Sequence, residues 1–283
     1  MKLKNYIKEV IHEFQKDDVP ILAAAQAYYY LLAIVPLMIL LLSIIPYLSI
    51  DPDRAVRFIS NNIPGQTAEI FKENIISLVS QPKGGLLSIG IIGTLWAASN
   101  GMNAFMKASN HAYEVEETRS FIVARLLSII LTIGMIIAFV VALVLPVFGK
   151  AILSFLDSAL NLPMEIMILL HLLRWIVSLI VMIGLLTVLY RVAPNKKLPF
   201  GHIIPGAITA TVLWLLISWA FSFYVSNFAN YSATYGSLGG IIILMLWFFL
   251  TGLILVLGAE VNVVQHRRKL NEKYFEDKKA QES

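Results

Sequence analysis

The chain has 283 residues, 58% of them apolar and only 14% charged, and its mean hydropathy is +0.75. A soluble domain averages about 45–50% apolar and about 25% charged, so this composition does not furnish a water-facing surface. The absence of cysteine excludes disulfides, thiolate metal sites, iron–sulfur clusters and cysteine nucleophiles, and the net charge of +4 leaves two sources of basicity to separate, nucleic acid or membrane topology.

Residues 2–16 predict an amphipathic helix. Leu3, Tyr6, Ile7, Val10, Ile11 and Phe14 recur at helical spacing, with Lys2, Lys4, Lys8 and Lys16 off that stripe. Such a helix lies along the cytoplasmic membrane face or packs under a bundle. The charge spread through residues 1–19, and the length of the apolar run after it, do not fit a cleavable signal peptide.

Six apolar runs follow, each long enough for the roughly 30 Å hydrocarbon core. They cover about residues 21–48, 85–108, 121–148, 167–190, 200–226 and 236–263. Pro36 and Pro46 fall in the first, where a proline removes a helical hydrogen bond and kinks the span. Between the first two runs, Ile70, Phe71, Ile75, Leu78 and Val79 make an apolar face that predicts a short interfacial helix. The expected fold is all-α, a single integral membrane domain over residues 1–283 with six transmembrane helices and amphipathic interfacial helices. Residues 1–19 form its amphipathic start and 264–283 a basic cytoplasmic tail.

Charge fixes the expected orientation. With the N-terminus inside, 16 of the 22 Lys and Arg fall on inner segments and five on outer ones (Arg54, Arg57, Lys72, Lys83 and Lys150), with Arg174 left inside a span. The positive-inside bias places both termini in the cytoplasm and the protein in the cell membrane as a multi-pass chain. It also accounts for the basicity without nucleic acid.

Polar groups within the oil are the functional candidates. On the second run, Gly90, Gly93, Ala97, Gly101, Ala104 and Ala108 share one face, which offers close approach to another helix or a second copy of the chain. A second face holds Ser99, Asn100, Asn103, Lys107 and Asn110. It reads either as interhelical hydrogen bonds with a snorkelling lysine or as the lining of an inward-facing polar cavity that contacts lipid headgroups. His171, Arg174 and Ser178 share a face of the fourth run near the outer surface, where Arg174 either snorkels and pairs locally or serves a ligand. Glu260, at the inner end of the sixth run, is at the right depth for a structural ion pair with Arg125, with Lys107 and Arg191 as other partners.

No phosphate-binding glycine loop, HExxH or nucleophile elbow occurs, and the five histidines are dispersed, so no enzyme, cofactor or metal site is expected.

Several segments together carry a family resemblance: Ala23-Ala-Ala-Gln-Ala-Tyr-Tyr-Tyr30 with Pro36, Leu95-Trp-Ala-Ala-Ser-Asn-Gly101 continuing to Asn110-His-Ala-Tyr113 and Arg125, Tyr190-Arg191-Val-Ala-Pro194 with Pro205-Gly206-Ala207, and Tyr231-Ser-Ala-Thr-Tyr-Gly-Ser-Leu-Gly239 leading to Leu257-Gly-Ala-Glu-Val-Asn262. In order and over nearly the whole chain, these resemble the YihY/BrkB family of bacterial inner-membrane proteins, once suspected of being ribonuclease BN. The resemblance implies six spans with both ends inside and no established activity. A transporter or lipid-handling role is the leading expectation, with membrane lipids as partners. A non-transporting scaffold stands second and a membrane-tethered ribonuclease last.

Overall fold

The computed structural model describes residues 2–44, 84–137, 163–227 and 238–282. All regular structure in them is helical: α1 (Lys2–Lys16), α2 (Val19–Ile44), α3 (Gly84–Ala112), α4 (Phe121–Ile137), α5 (Met164–Val192), α6 (Phe200–Asn227) and α7 (Gly239–Glu282). Five of them are long and apolar enough to cross a membrane, and α4 is a shorter apolar helix. The rest of the third expected span, the interfacial helix expected before α3, Pro46 and most of the Tyr231-to-Gly239 segment lie outside the described residues.

The six-helix expectation is met in kind by these five spans and α4, with one difference at the C-terminal end. The expected basic tail is not a separate segment: α7 runs unbroken for 44 residues. At about 1.5 Å per residue this helix is roughly twice the thickness of the hydrocarbon core, so its last turns stand clear of the membrane.

The outward faces are apolar. Phe121 is 82% exposed, Trp219 72% and Ile180 63%, with Leu169, Trp175 and Val212 similarly open. In water these side chains forfeit their transfer free energy, but against lipid tails they do not. The interior mixes alanine and large apolar side chains with buried polar ones such as Gln26, Ser99, Glu260 and Asn262.

The chain packs as two compact units, Tyr29–Asn100 and the remainder (Met1–Tyr28 with Gly101–Ser283). In the first, α2 and α3 approach closely through the small-residue face of α3. A Cβ at Gly90 would lie 2.8 Å from the Leu40 backbone, and one at Gly93 would lie 3.1 Å from the Pro36 ring. At these two positions that face is taken up within the chain.

In the second unit, α6 packs extensively on α7 and on α5, and α1 lies on α7. The core is Val19, Phe105, Met106, Tyr190, Leu198, Ile203, Ala207, Ile254 and Val256 with their neighbours. Three features explain how α5, α6 and α7 come so close. The Tyr190 hydroxyl donates to the Leu255 carbonyl at 2.9 Å, over Gly258, where any Cβ would overlap the phenol. The Gly206 N–H donates to Asn262 Oδ1 at 2.7 Å, and a Cβ on Gly206 would overlap the Gly258 carbonyl. Pro205 cannot supply the N–H that would normally satisfy the Gly201 carbonyl one turn back, and the Lys269 ammonium donates to that carbonyl at 2.9 Å instead.

Candidate functional site

The connections at one end of this unit set the site. The α3 helix closes in a Schellman motif: Glu114 adopts left-handed backbone (φ 52°), its N–H reaches the His111 carbonyl at 2.9 Å, and the Val115 N–H reaches the Asn110 carbonyl at 3.0 Å. Asp18 (φ 47°) makes the corresponding left-handed turn between α1 and α2. Asn110 then joins two loops, since its Nδ2 donates to Glu117 Oε2 at 2.9 Å and its Oδ1 accepts the Asn195 N–H at 2.6 Å. Glu117 in turn grips Arg119, whose Nη2 donates to the Ala193 carbonyl at 2.9 Å and so caps the C-terminus of α5 with a cation. The Arg119 hydrogen bonds hold the Glu117 carboxyl below the usual carboxylate range.

Under this scaffold sit three buried carboxylates. Glu13 is 8% exposed, Asp17 3% and Glu260 fully buried. One oxygen from each lies within 4.8 Å of the others. Glu13 Oε1 accepts from Arg267 Nη1 at 2.7 Å, and Asp17 Oδ1 lies 3.7 Å from His111 Nε2. Their other oxygens, Glu13 Oε2 and Asp17 Oδ2, have no hydrogen-bond partner among the described residues, and neither has either oxygen of Glu260. Lys16 Nζ stands 3.6 Å from Glu13 Oε2, and both Lys16 and Arg267 also pair with Glu114. Burial pushes the Asp17 carboxyl up, with His111 and Lys16 opposing. The exposed Glu114 carboxyl is held down by its hydrogen bond from Lys16. The Tyr113 hydroxyl, 7% exposed at the residue level and without a hydrogen-bond partner among the described residues, is pushed up by burial and by Glu260.

His202 Nδ1 and His266 Nδ1 stand 2.8 Å apart, bridging α6 and α7, with the His266 ring centroid 6.3 Å from that of Tyr113. The expectation of dispersed histidines is therefore wrong for this pair. They are 64 residues apart in the chain and meet only because α6 packs on α7.

The residues singled out in the sequence fare differently. Asn110 is buried and spends its amide on the two loops. Asn100 and Asn103 are half-buried, and Lys107 is exposed. Arg174 is half-buried, 5.9 Å from the Trp175 ring centroid, and its Nε and Nη1 have no hydrogen-bond partner among the described residues. The Ser178 hydroxyl is spent locally on the Arg174 carbonyl at 2.9 Å. The side chain of His171 lies outside the described residues. Glu260 makes no hydrogen bond to Arg125 and faces Glu13 and Asp17 instead. Arg191 is turned away, donating to the Leu198 carbonyl and lying 4.0 Å from the Phe200 ring centroid.

Sequence reading missed Glu13, Asp17 and Tyr113. A signal was present: at about 100° per residue, Asp17 falls between Tyr6 and Val10 on the apolar stripe of α1, and Glu13 at its edge.

Long lipid-facing helices around a small-residue interior with buried charge at one end define a polytopic α-helical membrane protein. The family model of the virulence factor BrkB matches residues 10–282, and the chain belongs to that family. It is 43% identical over 265 residues to YfkH of Bacillus subtilis (strain 168), named as ribonuclease-like, covering 94% of this chain and 96% of that one. It is also 28% identical over 275 residues to a UPF0761 membrane protein of Vibrio vulnificus (strain YJ016), covering 93% and 83%. A UPF0761 membrane protein of Tolumonas auensis (strain DSM 9187 / NBRC 110442 / TA 4) is 29% identical over 261 residues, covering 90% and 83%. No solved structure matches the chain.

Proposed function

We propose that the protein is a transporter or lipid-handling protein of the cytoplasmic membrane, with both termini inside, whose working element is the buried carboxylate group. The observation that carries this reading is Glu260, fully buried on a membrane-crossing helix with neither oxygen hydrogen-bonded among the described residues. An ionisable group in that setting costs several kcal/mol unless it is compensated, and such groups mark ion paths and proton relays. A passive scaffold has no use for that cost. Arg174 is the second element: its Nε and Nη1, without hydrogen-bond partners among the described residues, suit an anionic headgroup through charge-assisted hydrogen bonds. The ribonuclease-like name of the Bacillus relative finds less support, because carboxylates only 0–8% exposed are closed to an RNA strand.

The reading is tested in liposomes reconstituted with purified protein and loaded with labelled phospholipid. It predicts redistribution between leaflets faster than in protein-free vesicles, and slower with Arg174→Ala. Rates equal to protein-free vesicles overturn it.

A further inference from the structure

The carboxylate group is arranged like a half-built coordination shell. Glu13 and Asp17 each turn one oxygen outward, to Arg267 and towards His111, and the other has no hydrogen-bond partner among the described residues, with Lys16 Nζ 3.6 Å from that of Glu13. Outward anchoring of this kind orients metal ligands and leaves the inner oxygen available. Glu260, on α7, contributes two more oxygens without hydrogen-bond partners among the described residues.

The spacing fits an ion. Oxygens on opposite sides of Ca²⁺, each about 2.3–2.6 Å from it, are about 4.6–5.2 Å apart, and those on adjacent sides are closer. The three ligand oxygens here lie within 4.8 Å of one another. A second, independent group points the same way. The Tyr113 hydroxyl comes from a different segment, its ring centroid 6.3 Å from that of His266 on α7; it is buried, has no hydrogen-bond partner among the described residues and is pushed up by burial and by Glu260. Buried polar groups are ordinarily satisfied, so a buried hydroxyl and four carboxylate oxygens without hydrogen-bond partners among the described residues are available to a ligand.

Local cations do not hydrogen-bond these oxygens. Arg267 binds the outer oxygen of Glu13 and shares itself with Glu114, and Lys16, also paired with Glu114, stands 3.6 Å from the inner Glu13 oxygen, beyond hydrogen-bond distance. Three carboxylates and a phenol are hard oxygen donors with no sulfur among them, the set preferred by Ca²⁺, Mg²⁺ and Mn²⁺.

We propose that Glu13, Asp17 and Glu260 bind one hard divalent cation, with the Tyr113 hydroxyl at its edge. This deepens the transport reading, since it makes the ion the species that the buried group serves, but its test does not pass through transport.

The full-length protein is purified, stripped with chelator and titrated with Mn²⁺, followed by the loss of the free-ion electron paramagnetic resonance signal and by thermal melting. The expected result is one saturable site per chain and a rise in melting temperature of several degrees. Asp17→Asn and Glu260→Gln are expected to weaken binding at least tenfold, while Asp18→Asn, one residue away and exposed, leaves it unchanged. Should Glu260→Gln fail to fold, Asp17→Asn and the wild-type stoichiometry still decide. No saturable Mn²⁺ site in the wild type, or equal binding in folded Asp17→Asn, overturns the proposal. Binding without lipid redistribution upholds the ion site and overturns the transport reading alone.

Discussion

Asn262 Oδ1 accepts the backbone N–H of Gly206 at 2.7 Å, and the two residues fix α6 on α7 where a side chain larger than hydrogen has no room. Gly206→Ala forces the helices apart, an overpacking cost of about 1–3 kcal/mol or more. Gly184→Ala is the contrast, because nothing lies within 4 Å of the added methyl and the helix gains about 0.5–1 kcal/mol in backbone preference. Thermal melting in detergent checks the pair: Gly206→Ala should melt well below wild type and Gly184→Ala at or above it.

Asn110 was a cavity candidate, and its geometry makes it a clasp between two loops. Asn110→Ala leaves the Asn195 N–H without its partner and strips Glu117 Oε2 of one of its two donors, Arg119 remaining. The expected cost is about 1–3 kcal/mol. Limited proteolysis should cut the variant faster between residues 113 and 120 and between 193 and 199. Unchanged cleavage with altered lipid movement would favour the cavity role instead.

The clasp also titrates. Arg119 holds the Glu117 carboxyl below its ordinary value, so this group's stabilisation is present above the unfolded-state pKa and is lost as pH falls through the folded one. Glu117→Gln should therefore lower the melting temperature at pH 7, and the deficit should close as pH falls below about 4. A deficit that does not narrow as the pH falls contradicts this.

Orientation is directly testable because the chain has no cysteine of its own. Single cysteines at Lys8 or Lys273 should react with a membrane-impermeant maleimide only after intact cells are opened. Labelling in sealed cells would reverse the proposed topology.

The helices were legible because lipid imposes long apolar runs, and residues 85–108, 167–190 and 200–226 fall within α3, α5 and α6. The end of α7 was not legible: loss of hydropathy after Val263 marks where lipid stops, and the helix continues past it. The site was only partly legible. Glu260 stood out as a charge in an apolar run, but its neighbours Glu13 and Asp17 lie about 250 residues earlier. Only the packing of α1 on α7 brings them together. Likewise, the polar stripe on α3 showed which residues face one way but not that Asn110 would be spent on Glu117 and Asn195.

The most direct test of the central claim is the rate of phospholipid redistribution in sealed proteoliposomes carrying Glu260→Gln, with melting and reconstituted amount matched to wild type. If the buried carboxylate is the working element, the rate falls at least tenfold towards that of protein-free vesicles. A folded Glu260→Gln protein that moves lipid as fast as wild type contradicts the account.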